Sequence, residues 1–172
     1  SVHRLGGNVR GRRVQIVIPA LAGRRSGNQV TAVRWRRVLE GLGHRVRVET
    51  TCTDESCDLL IALHAHRSAK SALQYRRRDP SGKLVVALSG TDLYRDLQKY
   101  QAGHDALAVA DRIVVLQKHG LTQLDPCLHP RCRVIHQSVV VPSRLPPKAV
   151  RSWQVAVVGH LRSVKDPFMT AR

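Results

Sequence analysis

Aromatic side chains are nearly missing from this chain: Phe, Trp and Tyr make up 3% of its 172 residues. A core must then be filled by Val, Leu, Ile and Ala, and a 42% hydrophobic content is enough for one. The six rings, Trp35, Tyr75, Tyr94, Tyr100, Trp153 and Phe168, are scattered and form no base-stacking series. Long apolar runs are absent too. None approaches the ~18 residues of a membrane span. Apolar segments nevertheless recur throughout, which excludes intrinsic disorder. The basic start, SVHRLGGNVRGRR, leads into no apolar run of secretory-signal length. The chain opens on Ser1, so the initiator Met is absent or the true start lies elsewhere. A cytoplasmic protein is expected.

Carboxylates are the other scarcity. Twelve Asp and Glu face 29 Lys and Arg, for a formal net charge of +17. Six of the cations are Lys and 23 are Arg. Such a charge suits phosphates. The Arg residues are spread along the whole chain, however, and gather into no tail or helix face. That distribution argues against nucleic acid. It suits either an Arg-biased surface or a cleft that receives phosphate groups on small molecules.

Four cysteines form two pairs, Cys52-x4-Cys57 and Cys127-x4-Cys132, the second enclosing His129. Zinc pairs are most often separated by two residues. Four reduced thiols in or beside loops are the preferred reading over zinc, and a reducing compartment disfavours disulfides. No metal and no cofactor are expected.

After a loose basic lead-in over 1–12, short β-branched runs alternate with helical segments. Val14–Pro19 reads as a buried strand, and a helix follows from Asn28 to Leu42 with Trp35, Val38, Leu39 and Leu42 on one face. Gly43 stands where a helix stops. His44–Val48 alternates as a half-covered strand. Asp58–Leu63 and Leu84–Leu88 read as fully buried strands flanking a polar helix over His66–Arg78. Asp92–Ala110 reads as helical, broken near Gly103. Arg112–Leu116 is a strand with a short helix to Leu124, and Arg133–His136 is the last of the series. Strands apolar on both faces and alternating with helices imply a doubly wound parallel sheet, a Rossmann-like α/β domain over 13–141. Residues 142–152 are Pro-rich and read as a linker. Residues 153–172 read as the truncated start of a second α/β domain, with a buried strand over Trp153–Val158 and Asp166-Pro167 opening a helix.

In such sheets ligands sit beyond the carboxyl ends of the strands. The first of those loops contains Arg24, Arg25, Ser26, Gly27 and Asn28. Glycine allows close backbone approach, a helix N-terminus offers free N–H groups, and paired guanidinium forks suit oxyanions. An ordinary capping turn explains Ser26 and Asn28 but not the paired Arg. The next loop, His64-Ala-His-Arg67, carries two imidazoles and Arg67, and His64 is a candidate general base or donor. Ser89, Thr91 and Asp92 follow the fourth strand, either as a capping turn or as the floor of a cleft. Gln137-Ser138 follows the last strand of the series. Gly159, Arg162 and Lys165 read as a diphosphate clamp or as a solvated basic loop. There is no G-x-G-x-x-G or Walker phosphate loop, and no Asp-x-Asp metal motif.

R-S-G-N after strand one, S-G-T-D after strand four, A-D-R-I-V-V-L at strand five and G-H-L-R-x-x-K-D-P at the second domain together resemble the retaining glycosyltransferases of family four. Within that family R-S-G-N-Q-V-T-A-V-R-W, D-L-L-I-A-L-H-A-H-R-S-A, L-V-V-A-L-S-G-T-D-L-Y-R-D-L and V-V-G-H-L-R-S-V-K-D-P-F are similar to the selenosugar synthases of selenoneine biosynthesis. The resemblance implies the two-domain GT-B architecture, with the acceptor held by the N-terminal domain and the nucleotide-sugar by the C-terminal one. It implies transfer of a sugar from a UDP-sugar, UDP-N-acetylglucosamine, to the selenium of selenophosphate. The Arg24/Arg25 loop with Gly27 and Asn28 would hold the acceptor phosphate, and Arg162 and Lys165 the leaving diphosphate, without a metal. Ser89 stands where many members have His, His160 where they often have Arg, and Gln137-Ser138 where they have Asn-Gly. The family's second-domain carboxylate pair and its uracil and ribose contacts are not found by Arg172, so little or no turnover is expected from these 172 residues alone.

Overall fold

A computed structural model of the chain describes residues 11–19, 26–138, 143, 144 and 168. The chain divides into two compact units, Ser1–Ser138 and Val139–Arg172. The expected linker over 142–152 and second-domain start over 153–172 fall almost wholly outside the described residues.

Among the described residues six strands form one sheet: β1 (Arg13–Val17), β2 (Arg45–Glu49), β3 (Leu59–Leu63), β4 (Lys83–Ala87), β5 (Arg112–Val115) and β6 (Cys132–Val134). Their spatial order is β2-β1-β3-β4-β5-β6, and every pairing is parallel. Parallel neighbours require a crossover between them. The crossovers carry α1 (Gly27–Gly41), α2 (Ala69–Arg78) and α3 (Gln101–Val109). The protein is therefore an α/β domain with a Rossmann-like, all-parallel sheet.

Residue alternation along each strand divides the core in two. Leu60, Ala62, Leu84, Val86, Ile113 and Val115 face one side, where α2 and α3 pack through Ala69, Ala72, Tyr75, Ala106 and Leu107. Val14, Ile16, Ile61, Leu63, Ala87 and Val114 face the other, beneath α1 and its Ala32, Trp35 and Leu39. The two faces explain the unbroken apolar runs of β3, β4 and β5. β2 alternates because it lies at the edge. Among the described residues Tyr75 is the one fully buried ring, so aliphatic side chains fill most of the described interior.

Several local expectations shift. On α1, Val38 and Leu42 are 57% and 58% exposed, so the packed stripe is Ala32, Trp35 and Leu39. α2 begins at Ala69 because a turn over His64–Ser68 precedes it. The segment from Asp92 to Ala110 breaks at Tyr100, whose backbone is extended, and not near Gly103. Gly103 lies inside α3 in close packing: a Cβ there would stand 2.6 Å from Leu97 Cδ2. Before that break, Asp92–Asp96 forms a single π-helical turn. Two 3-10 segments, Lys118–Gln123 and Pro126–Arg131, replace the single helix expected after β5.

Leu84 is fully buried in the central strand β4. Leu84→Ala should lower the free energy of unfolding by about 2–5 kcal/mol. Val38→Ala, on an exposed helix face, should change it by no more than about 0.5 kcal/mol. Urea denaturation of the two variants against the parent checks the pair.

Candidate functional site

Strand order reverses at β1, which has β2 on one side and β3 on the other. The crossover from β1 lies on one face of the sheet and those from β3 and β4 on the other. Such a reversal separates the loops on either side of it and opens a crevice at the carboxyl ends of the strands. The start of α1, the turn after β3 and the turn after β4 all lie along that edge.

At the start of α1, Ser26 forms a capping box. Its Oγ accepts from Gln29 N–H at 3.2 Å, and Gln29 Oε1 accepts from Ser26 N–H at 3.0 Å. The Ser26 hydroxyl is thus committed to the helix. Gly27 is exposed and Asn28 half-buried. No described atom lies within 4 Å of where a Gly27 Cβ would stand, so no described neighbour demands glycine there. Arg24 and Arg25 lie outside the described residues, as do Gly159, Arg162 and Lys165.

The turn after β3 is the most constrained part of the edge. His64 has φ of 76°, the positive-φ residue other than glycine among the described residues. A side chain in that region costs about 1–3 kcal/mol and persists only where its surroundings hold it. They do so here from both directions. His64 N–H donates to Ala87 O at 2.9 Å, and His64 O accepts from Ser68 N–H at 3.0 Å. The ring is turned inward and only 3% exposed. His64 Nδ1 lies 3.0 Å from Asp92 Oδ1, and Nε2 lies 3.4 Å from Asp96 Oδ2. Both carboxylates are buried.

Asp92 therefore does not cap its own helical turn. Its Oδ2 accepts from Ala65 N–H at 2.6 Å and its Oδ1 from His66 N–H at 3.3 Å, so it fastens the β3 turn to the β4 turn. Asp96 accepts from Arg95 Nε at 2.7 Å. Burial pushes the Asp96 carboxyl up, but the Arg95 hydrogen bond, with the charges of Arg95, His64 and Arg67, outweighs it and holds the group below its ordinary range. The π-helical turn carries both carboxylates, and turns of this kind recur at functional sites. Outside the cluster, the His66 ring stacks on Tyr100 with centroids 4.0 Å apart. Arg67 and Gly90 are exposed, while Ser89 and Thr91 are half-buried.

The structure thus joins His64 and Asp92 directly and sets Ser89 and Thr91 at the turn beside them. Among the described residues no hydrogen bond or ion pair ties this group to Ser26, Gly27 or Asn28. Asp96, Arg95 and Tyr100 belong to the cluster without having been named as site residues from the sequence. Their available signal was the pair of acids in Asp92-Leu-Tyr-Arg-Asp96, within a chain that has only twelve.

Among the described residues no three His, Cys, Asp or Glu side chains converge as metal ligands, and the His64 ring separates its two carboxylates. The four cysteines are free thiols. Burial pushes Cys52, Cys57 and Cys132 up, away from the reactive thiolate. Away from the strand ends, a groove of about 490 Å³ lies between α1 and the sheet, floored by Leu39, Ile61, Val85 and Val114. Gln137 reaches across to α1, donating to Thr31 Oγ1 at 3.0 Å. No described helix is long and apolar enough to cross a membrane. No protein-family model matches the chain, and no curated protein matches it.

A carboxyl group whose folded-state titration is depressed stabilises the fold above its unfolded value, and that contribution is lost as pH falls through the folded value. Asp96→Asn should therefore lower Tm by a constant amount at mildly acid to neutral pH. The gap from the parent should close as pH drops below about 4. Thermal melts across that range check the sign.

Proposed function

We propose that this domain is the acceptor half of a two-domain retaining glycosyltransferase. The enzyme would transfer a sugar from UDP-N-acetylglucosamine or a related UDP-sugar to selenophosphate. The sugar's anomeric carbon leaves the UDP diphosphate, which keeps the bonding electron pair, and bonds to selenium; water then takes the phosphoryl group from selenium, releasing inorganic phosphate and a selenosugar. No metal or cofactor enters this reading.

The observation that carries it is the reversal of strand order at β1. It opens a crevice at the edge where the parallel sheet gathers the start of a fifteen-residue helix and the loops after β3 and β4. Among the described residues no acceptor meets the amide N–H groups of Gly27 and Asn28, and a helix N-terminus with unmet amides suits a phosphate-type anion. Both substrates are phosphate-bearing anions, and a +17 chain attracts such anions. The motif resemblance supplies the reaction; Arg24 and Arg25 supply the acceptor's counter-charges in this account. Ser89, Thr91 and Arg67 would border the acceptor, with Asp92 and His64 holding that border from within.

A thermal-shift titration with selenophosphate, inorganic phosphate and UDP-sugars tests the reading, run beside salt-dependent retention on DNA. Selenophosphate should raise Tm, by the equivalent of about 2.7 kcal/mol at a hundred times its Kd. Arg24→Ala combined with Arg25→Ala should abolish that rise. A steep salt dependence on DNA with no response to small anions would instead identify a non-catalytic polyanion-binding module.

A further inference from the structure

We propose that the groove between α1 and the sheet binds a medium-chain fatty carboxylate, with the head at Arg112 and Arg133 and the tail along the aliphatic floor. The site lies on a sheet face, away from the strand-end crevice, and does not depend on the function proposed above.

The groove exists because the two faces of the sheet are covered unequally. α2 and α3 share one face, while among the described residues α1 is the one helix on the other. Beside α1, Leu39, Ile61, Val85 and Val114 floor a space of about 490 Å³, an ordinary size for a small-molecule site. Val38 on the helix wall and Ile135 on the far wall are 57% and 46% exposed, so the walls present apolar surface as well. One end is shut: Gln137 bonds across to Thr31, and Arg34 Nη1 lies 3.5 Å from Ser138 Oγ. From Arg34 to Gly41 the helix runs about 10 Å, which suits a tail of medium length.

Cations gather toward the other end. Alternation along the strands puts Arg112 on the groove face with Val114, and Arg133 with Ile135. In register, Arg112 lies beside Val85 and Arg133 beside Val114. Both guanidinium groups turn toward the amino ends of their strands. Arg112 Nη1 donates to Asp111 O at 2.8 Å, and Arg133 Nη1 donates to Pro130 O at 3.1 Å and Cys132 O at 2.7 Å. Among the described residues Nε and Nη2 of both have no acceptor, and such a pair of N–H groups takes a carboxylate through two parallel bonds.

The protein's own acids do not supply the counter-charge. Eleven of its twelve carboxylates lie among the described residues, and no ion pair joins any of them to Arg34, Arg112 or Arg133. The twelfth is Asp166, and one acid does not match three guanidinium groups. A second copy of a +17 chain brings repulsion. An acidic helix would lay carboxylates along its length, against a floor that is aliphatic. A single anionic head with one apolar tail matches cations at one end of an apolar groove that is shut at the other.

Calorimetric titration of the full chain with octanoate, decanoate, octanol and octyltrimethylammonium, all below micelle formation, tests the site. Decanoate should bind one per chain, and each methylene added between octanoate and decanoate should tighten binding about fourfold, the transfer value of a buried CH₂. Octanol should bind about tenfold more weakly than octanoate, and the cationic amphiphile should give no heat of binding. Arg112→Gln combined with Arg133→Gln should weaken decanoate about tenfold and leave octanol unchanged. Lys70→Gln combined with Arg77→Gln removes the same charge from α2, on the opposite face, and should change neither. Val38→Glu puts a carboxylate on the exposed wall; it should abolish decanoate binding while Tm changes little. Unsaturable binding, equal loss in the two charge variants, or equal affinity for octanoate and octanol overturns the site. So does a dimer that Val38→Glu makes monomeric in sedimentation, which would give the groove to a second copy. Tighter binding of a Leu/Glu amphipathic peptide than of decanoate, lost in Val38→Glu, would give it to a protein partner and overturn the fatty-carboxylate assignment.

Discussion

A parallel strand reaches its neighbour only after the chain has crossed the sheet and returned. Each strand of this protein therefore exits at the same edge, and the loops that follow are gathered there whatever their sequences. That constraint is met by side chains with little shape of their own. Val, Leu, Ile and Ala fill both faces, and Tyr75 is the one ring fully enclosed among the described residues. With so few large anchors, the sheet's geometry comes from many small contacts, and the edge inherits its rigidity from them.

On that edge the protein uses its scarcest charge. Two of twelve carboxylates are buried around one imidazole, in a chain where cations outnumber acids by more than two to one. Buried carboxylates are costly unless paired and hydrogen-bonded, and these are both. Asp92 also takes the amides of Ala65 and His66, so the cost of its burial is offset by tying two loops together. The strained backbone of His64 is held by the same arrangement.

Much of the architecture was legible in the sequence, for a physical reason. Central strands covered on both faces read as continuous aliphatic runs, and β3, β4 and β5 stand where those runs do. The edge strand β2 was legible as an alternation. The strand-end rule pointed to His64 and Asp92 separately. Their contact was not legible, because 27 residues separate Ala65 from Asp92 and only the crossover through α2 and β4 brings them together. Nor could the sequence show that His64 turns inward, since that depends on one backbone angle. Gly103 reads as a helix breaker in sequence and proves to be a point of close packing, while the break at Tyr100 has no such marker. The chemistry assigned to the edge comes from motif resemblance, and the fold alone is compatible with many activities.

The sheet also ends in two different ways. β2 lies at one margin and carries Arg45, Arg47 and Glu49 over five residues. β6 lies at the other and is only three residues long, with Arg133 at its centre. An unpaired strand is a template for another chain, and ionic side chains or brevity deny it a partner. Two sheets meeting at their β2 margins would bring guanidinium groups of like charge against one another. The aliphatic runs that make this interior are also the kind that stack into fibrils, and the protein screens them at its borders with arginine, its commonest charged residue.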